Sequence, residues 1–241
     1  MITRGFSAFK DFVYPDACCL CGEIDGFFSH RPVKIMLGAK EIQSPYCFSC
    51  TRSLLKGFEE NKFRISERST AITLFDYTHE SVQKAIFHIK KTKCLKCINF
   101  FAEIIGDTVK DTGIQRITYI PRSRKHYKTY GFDQSDAVIS TFVRNCDNIK
   151  LVELFERNRH HSKPQKTLSY DDRFINAKRS LQLRSDADIP KSIIVFDDVM
   201  TTGATAETAA ELLKAGGADN IVLLFLAGAK IIIEERRKEN E

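Results

Sequence analysis

The sequence predicts an α/β protein, a parallel sheet with helices on both faces, preceded by a small four-cysteine unit. Three observations carry this reading. Apolar strand patterns alternate with helical ones from residue 71 onward, the order that builds a parallel sheet. One of those strands, residues 193–196, runs directly into two carboxylates, a hydroxyl-rich turn and a helix. Six of the eight cysteines also fall into C-x-x-C pairs.

Residues 1–56 read as the cysteine unit, built on Cys18/Cys21 and Cys47/Cys50 with 25 residues between the pairs. Thiolates two residues apart on a tight turn grip one tetrahedral ion, and two such knuckles complete a four-sulfur zinc site. Four thiolates leave no open position, so this zinc holds structure. A segment this short lacks a sufficient core of its own, which is a further reason to expect a metal. A redox C-x-x-C is the rival reading. Cys19 sits between two ligands and could replace either, as could Cys94 or Cys97. The favoured reading of Cys94, Cys97 and Cys146 is ordinary thiols, the first two in a basic turn between helices.

Residues 57–70 are polar and read as the connection to a second domain at 71–241. In that domain, residues 71–77 read as a strand. Residues 80–90 follow as a helix with Val82, Ile86 and Ile89 on one side, then 99–110 as another carrying Phe100, Phe101, Ile104, Ile105 and Val109. Residues 117–120 form a short strand stopped by Pro121, and 135–143 a helix. Strands at 193–196 and 221–226 flank the helix of the motif.

The chain has 241 residues, 43% of them hydrophobic, which supports a core. No apolar run approaches the roughly 20 residues needed to cross a bilayer, so no membrane insertion is expected. The first residues lack the basic-then-apolar layout of a signal peptide, and the expected location is cytoplasmic. The formal net charge is +6, unevenly placed. Between Arg116 and Tyr130 lie five Arg/Lys and no acid, and between Glu156 and Arg184 eight Arg/Lys against three acids. Such clusters suit a polyanion, either nucleic acid or pyrophosphate.

The motif has its own chemistry. A turn entering a helix N-terminus offers unpaired N–H groups and the positive end of the helix dipole. Thr201, Thr202 and Thr205 add hydroxyls, and Gly203 beside Ala204 lets the backbone approach a ligand closely. Asp197 and Asp198, at the strand end, suit the paired hydroxyls of a ribose. Together these describe a pocket for a sugar phosphate. Residues 121–134, after another strand, read as a basic loop whose cations would neutralise a pyrophosphate across that pocket.

The strand–Asp-Asp–Thr-Thr-Gly–Thr–helix order resembles the loop of phosphoribosyltransferases that holds 5-phosphoribosyl-1-pyrophosphate (PRPP). Nearly the whole chain resembles the ComF family (ComFC type): the cysteine knuckles, the basic stretch leading into Gly131-Phe132-Asp133-Gln134, and the segment from Gln165 to Asn176. The chain departs from the family's Arg-Gly-Phe-Asn-Gln in having Tyr130 and Asp133, which removes one cation and adds one carboxylate. The resemblance implies a type I phosphoribosyltransferase-like, Rossmann-like sheet. It also implies a role in DNA uptake during natural transformation, with single-stranded DNA, PRPP and a competence helicase or DNA-processing protein as partners. PRPP would be held with Mg²⁺ by Asp197, Asp198, residues 201–205 and Arg122. Single-stranded DNA would meet Arg122, Arg124, Lys125, Lys128, Lys163 and Lys166, with Tyr127 and Tyr130 available for stacking. The alternative is an active phosphoribosyltransferase acting on a nucleobase or amine.

Overall fold

The computed structural model describes residues 17–23, 33–38, 40–158 and 180–229. Its centre is a six-stranded sheet in the order β3-β4-β10-β9-β5-β6. These strands span Phe58–Ser66 (β3), Ser69–Asp76 (β4), Arg116–Tyr119 (β5), Lys150–Leu151 (β6), Ser192–Met200 (β9) and Asn220–Gly228 (β10). All neighbouring pairs are parallel except β3 with β4. The parallel strands β9 and β10 are near-continuous apolar runs, as strands covered on both faces must be.

Two apolar layers cover the sheet. On one face lie α2 (Glu80–Lys91), α3 (Leu95–Asp111) and α5 (Gln134–Arg144), packed on Ile72, Leu74, Ile194, Phe196 and Leu224. Phe100 and Phe101 of α3 meet edge to face at 5.4 Å, and both are buried. On the other face α6 (Ala204–Ala215) packs Ala206, Ala209 and Leu213 against Ile193, Val195 and Leu223. The alternation of Ile193 and Ile194 between the two layers is the pleat of β9 made visible.

The cysteine unit contributes the hairpin β1 (Val33–Leu37) and β2 (Lys40–Ser44), then helix α1 (Phe48–Leu55). Its Ile35, Ile42, Tyr46 and Leu54 join the same apolar cluster as α3, so its apolar side is buried against the larger sheet. A separate antiparallel pair, β7 (Phe155–Arg157) with β8 (Leu181–Leu183), lies beside α6.

The structure corrects the sequence reading in two places. The polar connection at 57–70 contains strand β3, whose Glu59, Glu60, Lys62 and Arg64 are exposed while Asn61 and Phe63 are buried. An edge strand tolerates such charge because one rim faces water. The basic loop contains a two-turn helix, α4 (Arg124–Tyr130), capped by the Ser123 hydroxyl and ended by Gly131 at φ 75°. Glycine enters that left-handed conformation without steric penalty. The segment from Gln165 to Asn176, with Lys163, lies outside the described residues.

Candidate nucleotide-phosphate site and cysteine clusters

The strand order turns between β5 and β9. The chain leaves β9 through α6 towards β10, and leaves β5 through α4 and α5 towards β6, on the opposite side. Ligands of open α/β sheets sit in the crevice at such a switch point, beyond the carboxyl ends of the strands. The strand runs past its expected end at Phe196 to Met200, so Asp197 and Asp198 lie within β9 on one side of this crevice, and Arg122 and Gln134 follow β5 on the other.

The two acids have different surroundings, because neighbours on a strand point to opposite faces. Asp198 is buried at 6% exposure and pairs with Lys90 at the end of α2 at 3.1 Å. It also accepts a short hydrogen bond from Gln134 Nε2 at the start of α5. Burial opposes the charge on Lys90, but Asp198 and then Asp197 hold it above its ordinary range. Asp197 is half-buried, and its Oδ1 accepts the Asp198 N–H at 2.9 Å. Burial and the neighbouring carboxylate raise Asp197 to about 7, against the pull of Lys90 and Arg157. Asp198 is therefore an internally satisfied anchor, and Asp197 is the acid that gains from a new partner.

Beyond them, Gly203 at φ 77° caps α6, with no side chain on the helix N-terminus. The hydroxyls of Thr201, Thr202 and Thr205 make no hydrogen bond among the described residues, and Thr201 is exposed. This is an anion cradle of backbone N–H groups and free hydroxyls. Among the described residues it is a shelf and not a closed cavity. Neither of two surface clefts, about 330 Å³ by Arg116 and Arg184 and about 530 Å³ by Tyr127 and Asp136, includes residues 197–205.

Arg122 is held in place by backbone. Its Nη1 donates to the Lys90 carbonyl at 2.9 Å and its guanidinium lies over Tyr130 at 4.6 Å. Asp133 accepts the Ser135 and Asp136 N–H groups as the cap of α5, and its other oxygen accepts the Arg122 N–H. The two family departures thus have local work: Tyr130 stacks the arginine and Asp133 closes a turn. Burial raises the Asp133 carboxyl above its usual range, although these N–H donors oppose the shift.

Arg124, Lys125 and Lys128 are exposed on α4 and form no ion pair among the described residues, and Tyr127 is exposed beside them. Lys163 and Lys166 lie outside the described residues.

All eight cysteines are free thiols. Cys18, Cys21, Cys47 and Cys50 place their sulfurs within 4.8 Å of one another, with Cys21 and Cys47 at 3.8 Å. Backbone N–H groups of Leu20 and Cys50 point at the sulfurs of Cys18 and Cys47, the outer hydrogen bonding that favours thiolate ligands. The donor set fits a four-coordinate metal. Cys94 and Cys97, read from sequence as ordinary thiols, place their sulfurs with that of Cys19 in a second group within 4.8 Å.

No protein-family model matches the chain. Over 121 residues it is 25% identical to competence protein ComFC of Streptococcus pneumoniae, a match covering 50% of this chain and 51% of that one. It thus spans about half the length of that curated relative. The relative is named for competence, and the resemblance covers about half of each chain. Among solved structures, adenine phosphoribosyltransferase from Rhodothermus marinus is 16% identical, with 79% of this chain and 92% of that one covered at a TM-score of 0.42. Hypoxanthine phosphoribosyltransferase from Staphylococcus aureus is 14% identical, with 58% and 66% covered at 0.35. No helix of the described residues is long and apolar enough to cross a membrane.

Sequence reasoning missed Lys90, Gln134 and Arg157 as members of this site. Arg157 donates to the Pro121 carbonyl and the Ser180 hydroxyl, each at 2.9 Å, and so fixes β7 to the segment after β5. Only Gln134 had a signal, as the last residue of the family's Gly-Phe-x-Gln. The pairing of Lys90 with Asp198 joins residues too distant in sequence for local pattern to register.

Proposed function

We propose that this chain is a ComF-type competence protein of the cytoplasm that binds PRPP with Mg²⁺ at residues 197–205 and single-stranded DNA along α4. The observation that carries the reading is the switch-point shelf: an acid with raised pKa, an uncapped helix start and three unpartnered threonines, close to a basic helix. Asp197 would hold the ribose hydroxyls, and residues 201–205 the 5′-phosphate. Lys90 and Arg122 would face the pyrophosphate. Mg²⁺ would bridge pyrophosphate and ribose oxygens, the kind of ligation it takes with substrate phosphates. Zinc on Cys18, Cys21, Cys47 and Cys50 would close the N-terminal unit, and a helicase or DNA-processing protein would act alongside it.

Isothermal titration of PRPP with and without Mg²⁺, followed by fluorescence anisotropy of a labelled mixed single strand, tests both halves. Expected are Mg²⁺-dependent PRPP binding and DNA binding that weakens steeply with salt. PRPP binding unchanged by Asp197→Ala, or DNA binding indifferent to salt, would overturn the corresponding half.

The unpartnered shelf also favours a second reading, phosphoribosyl transfer to a nucleobase or amine. Pyrophosphate release from PRPP with each common base distinguishes it from binding alone.

A further inference from the structure

Three features outside the phosphate shelf could carry chemistry: the cleft beside Arg116 and Arg184, the buried hydroxyl of Tyr46, and the second sulfur group. The last two belong together, and the observations extend furthest there.

Residues 18–21 send their sulfurs in two directions. Cys18 and Cys21 join Cys47 and Cys50, while Cys19, between them in sequence, meets Cys94 and Cys97. The two downstream pairs occupy equivalent local positions. Cys47 is the N-cap of α1 with Cys50 in its first turn, and Cys94 is the N-cap of α3 with Cys97 in its first turn. A helix start favours a thiolate, through the dipole and the free N–H groups. The same arrangement that builds the first cluster is therefore repeated at the second.

Distances agree with a shared ion. Metal–sulfur bonds of about 2.3 Å put two ligand sulfurs of a tetrahedral zinc site about 3.8 Å apart. Cys19 and Cys94 sulfurs lie 3.6 Å apart, and all three sulfurs lie within 4.8 Å. A fourth donor is adjacent: His88 Nδ1, in the last turn of α2, is 3.8 Å from the Cys97 sulfur. The ring touches one sulfur of the three, and a rotation about its side-chain bonds would be needed to bring it onto a shared ion.

Two further observations favour an occupied site over three packed thiols. The Tyr46 hydroxyl is buried, accepts or donates no geometrically sound hydrogen bond among the described residues, and has Cys97, Cys19 and Cys94 as its ionisable neighbours. Metal-bound thiolates would accept that O–H, whereas thiols are weak acceptors. Lys93 precedes the pair and Lys96 lies between its two cysteines, and cations there offset the net negative charge of three thiolates on a divalent ion.

We propose that Cys19, Cys94, Cys97 and His88 form a second, three-sulfur one-nitrogen zinc site, which clamps the N-terminal knuckle to the α2–α3 junction. Nothing in it depends on PRPP or DNA binding.

Zinc content and native mass of the full-length protein, purified without chelator, test this. Two zinc ions per chain are expected, falling to one in Cys94→Ser/Cys97→Ser. Cys47→Ser/Cys50→Ser should lose the other ion. X-ray absorption at the zinc edge of the wild-type protein needs no variant, and should show sulfur and nitrogen ligands in a ratio of about seven to one averaged over the two ions. In a cobalt-substituted protein, His88→Ala should alter the bands of one equivalent and leave the four-sulfur equivalent unchanged. A single zinc per chain with an all-sulfur shell overturns the proposal. A native mass short of two hydrogens, as a Cys19–Cys94 disulfide would give, also overturns it.

Discussion

Replacing Asp197 by asparagine isolates the acid on which the phosphate shelf depends. Burial and Asp198 raise this carboxyl from 3.8 to about 7. A shift of roughly three units, at about 1.4 kcal/mol each, puts a ceiling of about 4 kcal/mol on the destabilisation caused by ionising it. Because the side chain is half-buried, solvent screening reduces the working figure to about 2 kcal/mol. The folded state binds this proton more tightly than the unfolded chain does. Its contribution is therefore complete below the unfolded value and disappears as pH rises through the folded one. Asparagine keeps the shape and removes the charge. Urea unfolding of both proteins from about pH 4 to about pH 8 should show little gap at the acid end. Asp197→Asn should become the more stable protein by about 2 kcal/mol at the alkaline end. A gap that stays flat with pH, or a wild type that is the more stable at the alkaline end, refutes the reasoning. Wild type should recover the lost stability on adding PRPP and Mg²⁺, and the variant should not.

Other perturbations test the neighbouring parts. Lys90→Met leaves Asp198 buried without its cation and should destabilise by roughly 3 kcal/mol in the same unfolding assay. Adding Asp198→Asn should restore most of that loss. Gly203→Ala forces a Cβ into the left-handed region and should cost about 1–2 kcal/mol, with PRPP affinity falling in parallel by titration. Arg124→Ala/Lys125→Ala/Lys128→Ala should weaken single-stranded DNA binding and, with about 0.7 lost per contact, flatten its logarithmic salt slope by about 2. That triple variant should leave PRPP binding unchanged, since none of its residues touches the shelf.

Much of this fold could be read from the sequence because its signals are local. The apolar run of β9, the helical spacing of α2 and α3, and Pro121 after β5 each declare themselves within a few residues. The acids, glycine turn and helix start of residues 197–205 were legible for the same reason, because they are contiguous in sequence. What escaped depends on distant partners. Strand β3 looked like a linker because its exposed positions are charged, and only pairing with β4 makes it a strand. The basic stretch concealed α4, since a helix with no buried residue has no apolar stripe to detect. The different roles of Asp197 and Asp198 were hidden because the pleat, and not residue type, sends one to Lys90 and the other towards Arg157. Cys19 and Cys94 meet only because the knuckle folds onto the start of α3.

An open sheet leaves two margins where a foreign strand could attach. In this protein one margin carries acid and base side chains and two breaks in register, between Phe58 and Asn61 and between Arg64 and Ser66. The other, among the described residues, is a two-residue stub. Neither offers a straight, regular row of donors and acceptors for a visitor to zip against. Growth into fibres through either of these margins is accordingly discouraged.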